Sequence, residues 1–495
     1  MGLAALSLPA RRLAMPRLLP LILVFAAAVA LRAVVPVNPD VSWGLTMADK
    51  WLAGGKLYVD IVEVNPPATL FLYVAPAVLA HATGLSAEVL VDALVLLAAA
   101  LSVFVSARIL RTLRSLDADQ GRMLAAIAAA VLTVLPARAF AEREHLALIA
   151  ILPLLAAAWL RAEHEAPSWR AILIAGVGAG ITAIIKPYFI AAIVCTSAAA
   201  AWSARSWRVL FAAENWIAAA LLAAYVAFVF LAYPVYYSDM LPLLAAVYIP
   251  VKEPLGVFLQ HAALPLWALL LLAVWSLARS AALRPPLVLL LAASAGFAVA
   301  YVVQQKGWPN HAYPTLGLAL LAFGQALVTS PAERGAHRIA ACIGLAVAGI
   351  AFYWMGIVDN RAALAGAIRA VSPHAKVLAI SPDLTVGHPA VRSAGGTWVG
   401  HVSALWITQG ALMARAKGGL DAAAAASLDA YAARDRAMLD DDINRHRPDV
   451  ILAEREPAYD WLAWARSDPV LAGDLAPYRV ERTIGDIVVL RRAGP

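Results

Sequence analysis

Apolar runs of 16 to 22 residues, broken by short polar stretches, recur along most of this 495-residue chain. Runs of that length are what a helix needs to cross a bilayer core. Candidate spans lie at 18 to 35, 87 to 107, 123 to 138, 145 to 160, 171 to 185, 187 to 202, 216 to 233, 262 to 278, 286 to 303, 312 to 329 and 338 to 357. A further apolar stretch, 67 to 83, begins at Pro66-Pro67 and carries Pro76 inside it. Beyond Asp359 the long runs stop. Short β-like segments at 376 to 381, 449 to 454 and 486 to 492 then alternate with helix-like stretches such as Asp421 to Asn444. The pattern predicts a polytopic α-helical membrane protein with a transmembrane domain over 1 to 359 and a small α/β domain over 360 to 495.

Composition agrees with this class and charge orients it. The chain is 62% hydrophobic and 14% charged, with a net charge of +7. The excess arginines sit in short loops between spans, which orients a membrane protein and argues against nucleic acid as a partner. If 67 to 83 crossed the bilayer, the cluster Arg108, Arg111, Arg114 and Arg122 would fall outside, against the cytoplasmic excess of basic residues. If it lies instead in the outer interface, that cluster becomes cytoplasmic. So do the pairs Arg161 and Arg170, Arg205 and Arg208, Arg279 and Arg284, and Arg334 and Arg338. The expectation is therefore about eleven transmembrane helices plus an interfacial helix, N-terminus inside and α/β domain on the outer face. The first run, after Arg11, Arg12 and Arg17, reads as a retained first helix rather than a cleaved signal. Cys195 and Cys342 lie in apolar runs and imply neither a disulfide nor a metal site.

With that orientation the polar residues between spans converge on the outer side. They lie in the first external loop, 36 to 86, in Glu142, Arg143, Glu144 and His145, in Lys186-Pro187, in 234 to 261 and in QQKGWPNH at 304 to 311. The first loop is the most distinctive. Asp40 follows the first span closely, an amphipathic helix covers Val41 to Leu52, and the turn GGKLYVDIVEVNPP carries Tyr58, Asp60, Glu63 and Asn65. An acid soon after the first helix, that turn, the interfacial segment and an acidic motif between the third and fourth spans resemble the GT-C superfamily of membrane glycosyltransferases. The resemblance covers the layout of roughly residues 18 to 330. It implies inverting transfer of a sugar from a polyprenyl-phosphate donor at the outer face of the membrane, here a bacterial inner membrane, in cell-envelope polysaccharide biosynthesis.

The same chemistry can be argued from residue types. Inverting transfer needs a carboxylate to take a proton from an acceptor hydroxyl, and Asp40 is the candidate base, with Glu144 the second catalytic candidate. The departing lipid phosphate needs cations, for which Lys306, His311, Arg143 and Lys186 stand at the water interface. Neighbouring carboxylates could alternatively hold a divalent ion, Mg or Mn, with Glu63, Glu142 and His145 as ligands. Each residue also has a plain structural role open to it. Glu142 and His145 can simply start a helix, Lys306 can snorkel, and Tyr233, Tyr236, Tyr237, Tyr248 and Trp267 can be interfacial anchors. The leading function is a hexosyl- or pentosyltransferase acting on a lipid, glycan or protein acceptor. The alternatives are a transporter or flippase of a lipid-linked saccharide, which should show mid-membrane charge and internal repeats, or a non-catalytic polysaccharide-assembly subunit.

Overall fold

A computed structural model of the chain describes residues 18–278, 284–329, 334–356, 362–456 and 459–493. Each apolar run is a helix. In chain order these are α1 (Leu19–Val34), α2 (Pro39–Leu52), α3 (Ala68–Thr83), α4 (Ala87–Leu110), α5 (Ala118–Thr133), α6 (Arg143–Ala162), α7 (Trp169–Ile185) and α8 (Ile190–Ser203). They continue with α9 (Ala213–Ala232), the short α10 (Leu241–Val247) and α11 (Leu255–Phe258), then α12 (Ala263–Ala278), α13 (Pro285–Gln304), α14 (Pro309–Thr329) and α15 (Arg334–Gly356).

Six helices among the described residues are long and apolar enough to cross a membrane, or seven if the bent pair α1 and α2 is one span. The other five expected spans, α1, α5, α7, α8 and α12, are helices of 14 to 17 residues, so the count of eleven is not reached on length. Helix α3 has 16 residues with Pro76 inside, and at ~1.5 Å per residue it is about 24 Å long. That is short of the ~30 Å hydrocarbon core, as are α1, α5 and α12 with the same 16 residues. Arg11, Arg12, Arg17, Arg279 and the domain boundary drawn at Asp359 lie outside the described residues.

Helix α2 turns 75° away from α1. The turn has a local cause: Asn38 accepts the Asp40 N–H at 2.7 Å as the N-cap, and Pro39 fills the first helical position, where no amide is needed. The polar positions of α2 then meet the C-terminal domain rather than lipid. Lys50 donates to the Gly400 carbonyl at 2.6 Å, and Arg392 reaches both Asp49 and Glu88 at 2.5 and 2.6 Å. On the opposite side α2 presses on α3, where a Cβ at Gly44 would lie 2.2 Å from the Tyr73 ring.

The C-terminal domain starts with α16 (Ala362–Val371) and carries five strands, β1 (Lys376–Ile380), β2 (Thr397–Trp398), β3 (Val450–Glu454), β4 (Tyr478–Ile484) and β5 (Ile487–Arg492). Their order is β2-β1-β3-β5-β4. Strands β2, β1 and β3 are parallel, and β5 is antiparallel to both its neighbours. The three β-like segments of the sequence are β1, β3 and β5, and β3 is buried throughout, as a central strand should be. The predicted helix over Asp421 to Asn444 runs Ala422–His446, started by the Asp421 side chain, which accepts the Ala424 N–H at 2.7 Å. The domain packs onto the segment 36 to 86 through a hydrogen bond from the Val62 N–H to the His401 carbonyl at 2.9 Å. It also meets the 234 to 261 segment, where Arg434 pairs with Asp239 at 2.8 Å and Gly410 lies against Val247.

Candidate active site

The acidic motif between α5 and α6 is held by its backbone. Ala141, directly before it, has φ of 65°, a left-handed conformation that costs a non-glycine residue energy. Its carbonyl accepts the Tyr73 hydroxyl at 3.0 Å and its N–H is accepted by the His145 Nδ1 at 2.9 Å. The other nitrogen of His145 bonds to the Leu132 carbonyl at 2.6 Å. His145 thus clamps the turn that starts α6 and has no lone pair left for a ligand.

Glu142 is the N-cap residue of α6 but does not cap it. Its two carboxylate oxygens accept the side-chain amides of Asn38 and Asn310, one each. It therefore ties the start of α2 and the start of α14 to the start of α6. Arg32, at the end of α1, donates to the Ala137 carbonyl at 2.6 Å and stacks on Phe140, fixing the same turn from another side. Glu63 is occupied in the same way, accepting the Trp43 indole at 2.6 Å and the Asn65 N–H at 2.9 Å. Among the described residues Glu63, Glu142 and His145 do not form a metal-ligand group. The group with that geometry is Glu454, Glu456 and Asp486, in the C-terminal domain. The three residues expected as Mg or Mn ligands are thus taken up in fixing loops.

The first turn of α6 carries the charge cluster. Arg143 lies 3.6 Å from Asp40 across the gap between α6 and α2, and its Nη1 is buried without a partner. Glu144 is fully buried and pairs with Lys186, the residue where α7 ends. The Lys186 Nζ also lies 3.2 Å from the Gln304 amide oxygen and 3.1 Å from the His311 Nε2, while His311 stands 3.4 Å from Glu144. Glu144 Oε2 and His311 Nδ1 have no partner, so the cluster keeps hydrogen-bonding capacity in reserve. Asp40, Arg143, Glu144, Lys186 and His311 come from α2, α6, α7 and α14 and meet at one end of the bundle, beneath the C-terminal domain. Asp40 is half-buried on α2, outside the spans. Burial raises its pKa above the ordinary carboxylate value, while the neighbouring Arg143 pulls it back.

Lys306 sits apart from that cluster's direct contacts. It donates to the carbonyls of Tyr248, at 3.0 Å, and Val251, and lies over the Tyr248 ring at 4.3 Å. Burial and the nearby Lys252 and Lys417 hold its pKa down at about 8. The tyrosines form a separate aromatic group. Tyr58, between α2 and α3, packs on Tyr233 at 6.2 Å and Tyr236 at 5.3 Å, and Trp267 donates to Ser294 at 2.9 Å. Gln304 and Asn310 belong to the QQKGWPNH stretch and Asn38 to the segment 36 to 86, but the sequence assigns these three amides no individual role.

No protein-family model and no curated protein matches the chain. Two solved structures of ArnT from Cupriavidus metallidurans do match, one bound to undecaprenyl phosphate and one in the apo state, with TM-scores of 0.57 and 0.58. Both are 15% identical, and the match covers 96% of this chain and 99% of theirs. Over nearly its whole length, this chain shares the fold of these ArnT structures.

Proposed function

We propose that the protein is an inverting glycosyltransferase that moves a sugar from a polyprenyl-phosphate donor to a hydroxyl of a lipid, glycan or protein acceptor, at the outer face of a bacterial inner membrane. One observation carries the reading: in an ArnT-like fold, a half-buried carboxylate on an outer helix, Asp40, stands beside a buried arginine with a free donor, with a second acid and a lysine in contact behind them. The undecaprenyl phosphate held by the solved ArnT structure supports a donor of that class.

In this reading the acceptor hydroxyl attacks the anomeric carbon of the sugar from the face opposite the phosphate. Asp40 takes the hydroxyl proton as the new C–O bond forms, and its raised pKa improves it as a base near neutral pH. The bond from the anomeric carbon to the phosphate oxygen breaks, and the electron pair leaves with polyprenyl phosphate. Arg143 meets the developing charge with its unused Nη1, and Lys186 adds a second cation. Glu144 holds Lys186 in place and keeps it charged in a dry setting. Asp40 then gives its proton to water. The direct test is a reconstituted assay with a panel of polyprenyl-phosphate sugars, reading release of polyprenyl phosphate. A chain that releases none with any donor and acceptor, while folded, would refute the reading.

A further inference from the structure

A cavity of about 490 Å³ opens between α4, α5, α6, α13 and α14 at the end of the bundle opposite the charge cluster. The separation follows from the helices themselves. Trp159, on its wall, is sixteen residues along α6 from Arg143, or about 24 Å at 1.5 Å per residue, and Gln325 is fourteen residues along α14 from His311, or about 21 Å. Its size lies within the ~300–1,000 Å³ of ordinary ligand sites.

The walls are built of alanine and leucine, but two polar groups interrupt them. Ser106 Oγ and Gln325 Oε1 are buried and have no hydrogen-bond partner. Ser106 is 6% and Gln325 2% exposed, so neither is reached by bulk water. Burying a polar atom without a partner is costly, and two on residues that line one cavity point to a ligand that satisfies them. At the mouth stand Arg111 and Arg122. Arg122 is paired with Asp119, and the Asp117 carboxylate is turned to the N–H groups of Asp119 and Gln120 at 2.9 and 2.8 Å. Each acid there already has its partners, so Arg111 and the remaining N–H groups of Arg122 are left to meet an anion.

We infer that this cavity binds an anionic phospholipid of the cytoplasmic leaflet, with its phosphate at Arg111 and Arg122 and one chain between α4, α5 and α14. Apolar walls suit an acyl chain, and the two arginines suit a phosphate diester. Gln325 Oε1 accepts only, so it calls for a headgroup with a hydroxyl donor, as in phosphatidylglycerol, and Ser106 can donate to an ester or phosphate oxygen. The site is separate from the proposed reaction and stands or falls independently of it.

Native mass spectrometry of the detergent-solubilised full chain, incubated with phosphatidylglycerol or phosphatidylcholine, tests the inference. One phosphatidylglycerol should be retained per chain in preference to phosphatidylcholine. Arg111→Ala with Arg122→Ala should weaken retention roughly tenfold or more. Ala125→Phe, which fills the cavity, should abolish it. Should Ala125→Phe misfold, the arginine variant decides alone, because it alters only the mouth. Arg205→Ala, a basic residue outside the cavity, should leave retention unchanged. Equal retention of the two lipids, no lipid held at one per chain, or an equal loss in Arg205→Ala would overturn the inference.

Discussion

The Arg143 guanidinium stands 3.6 Å from the Asp40 carboxylate and keeps one terminal nitrogen buried and unpartnered. A carboxylate and a cation with a free N–H are thus adjacent, from two helices, without being locked into a bidentate pair.

Asp40→Asn keeps shape but cannot accept a proton. Turnover should fall roughly 10²- to 10⁴-fold while donor affinity and thermal stability stay near wild type. Full activity in this variant would remove Asp40 from the mechanism.

Glu144 and Lys186 make a buried ion pair, so removing one partner strands the other charge. Lys186→Met or Glu144→Gln should each lower the stability of the purified protein, with Lys186→Met costing about 3–5 kcal/mol, and the double variant should lose less than the sum. Thermal unfolding in detergent measures this double-mutant cycle. Additive losses would mean the two do not act as a pair.

Lys306 tests its own role through pH. With its pKa at about 8 it is charged below that value and neutral above it. If its third N–H meets the donor phosphate, donor affinity should weaken as pH rises through about 8, and Lys306→Arg should abolish that dependence because arginine stays charged. An affinity that is flat across this range in the wild type would leave Lys306 as a tie to the carbonyls of Tyr248 and Val251 alone.

Gly44 permits the close approach of α2 and α3. A Cβ there would meet the Tyr73 ring at 2.2 Å, so Gly44→Ala should shift α2 and Asp40 with it. Turnover should drop more than donor affinity, and unchanged kinetics would show that α2 tolerates displacement.

Orientation is tested by fusion reporters. One placed after Arg114 should report the cytoplasm and one after Arg492 the outer side, and a periplasmic signal at Arg114 would reverse every site described above.

The helices were legible because long apolar runs leave little alternative, but their number as spans was not. Helices α5, α7, α8 and α12 are as apolar in pattern as their neighbours over much of their length, yet too short on length alone. The start of α5 was placed late because its first turn is polar. Asp117 and Gln120 form a capping box there, a signal that outranks hydropathy. Strand β4 went unread since its sequence, YRVERTI, is mostly exposed at a sheet edge. In the site, the residue types were visible but their division of labour was not. His145 and Arg143 are two residues apart, yet one faces the Leu132 carbonyl and the other faces Asp40. Which way each points depends on the left-handed turn at Ala141, and an alanine gives no sequence warning of that.

The docking of the C-terminal domain onto Lys50, Asp49, Val62 and Glu88 limits how this scaffold can be recombined. A chimaera that exchanges only residues 362 to 493 would bring a new surface against an old first loop and lose the carbonyl and arginine contacts that hold α2. The segment 36 to 88 and the C-terminal domain would have to be transplanted together as one cassette, with Asp239 kept as the partner of Arg434. Drift in either one should be followed by compensating change in the other.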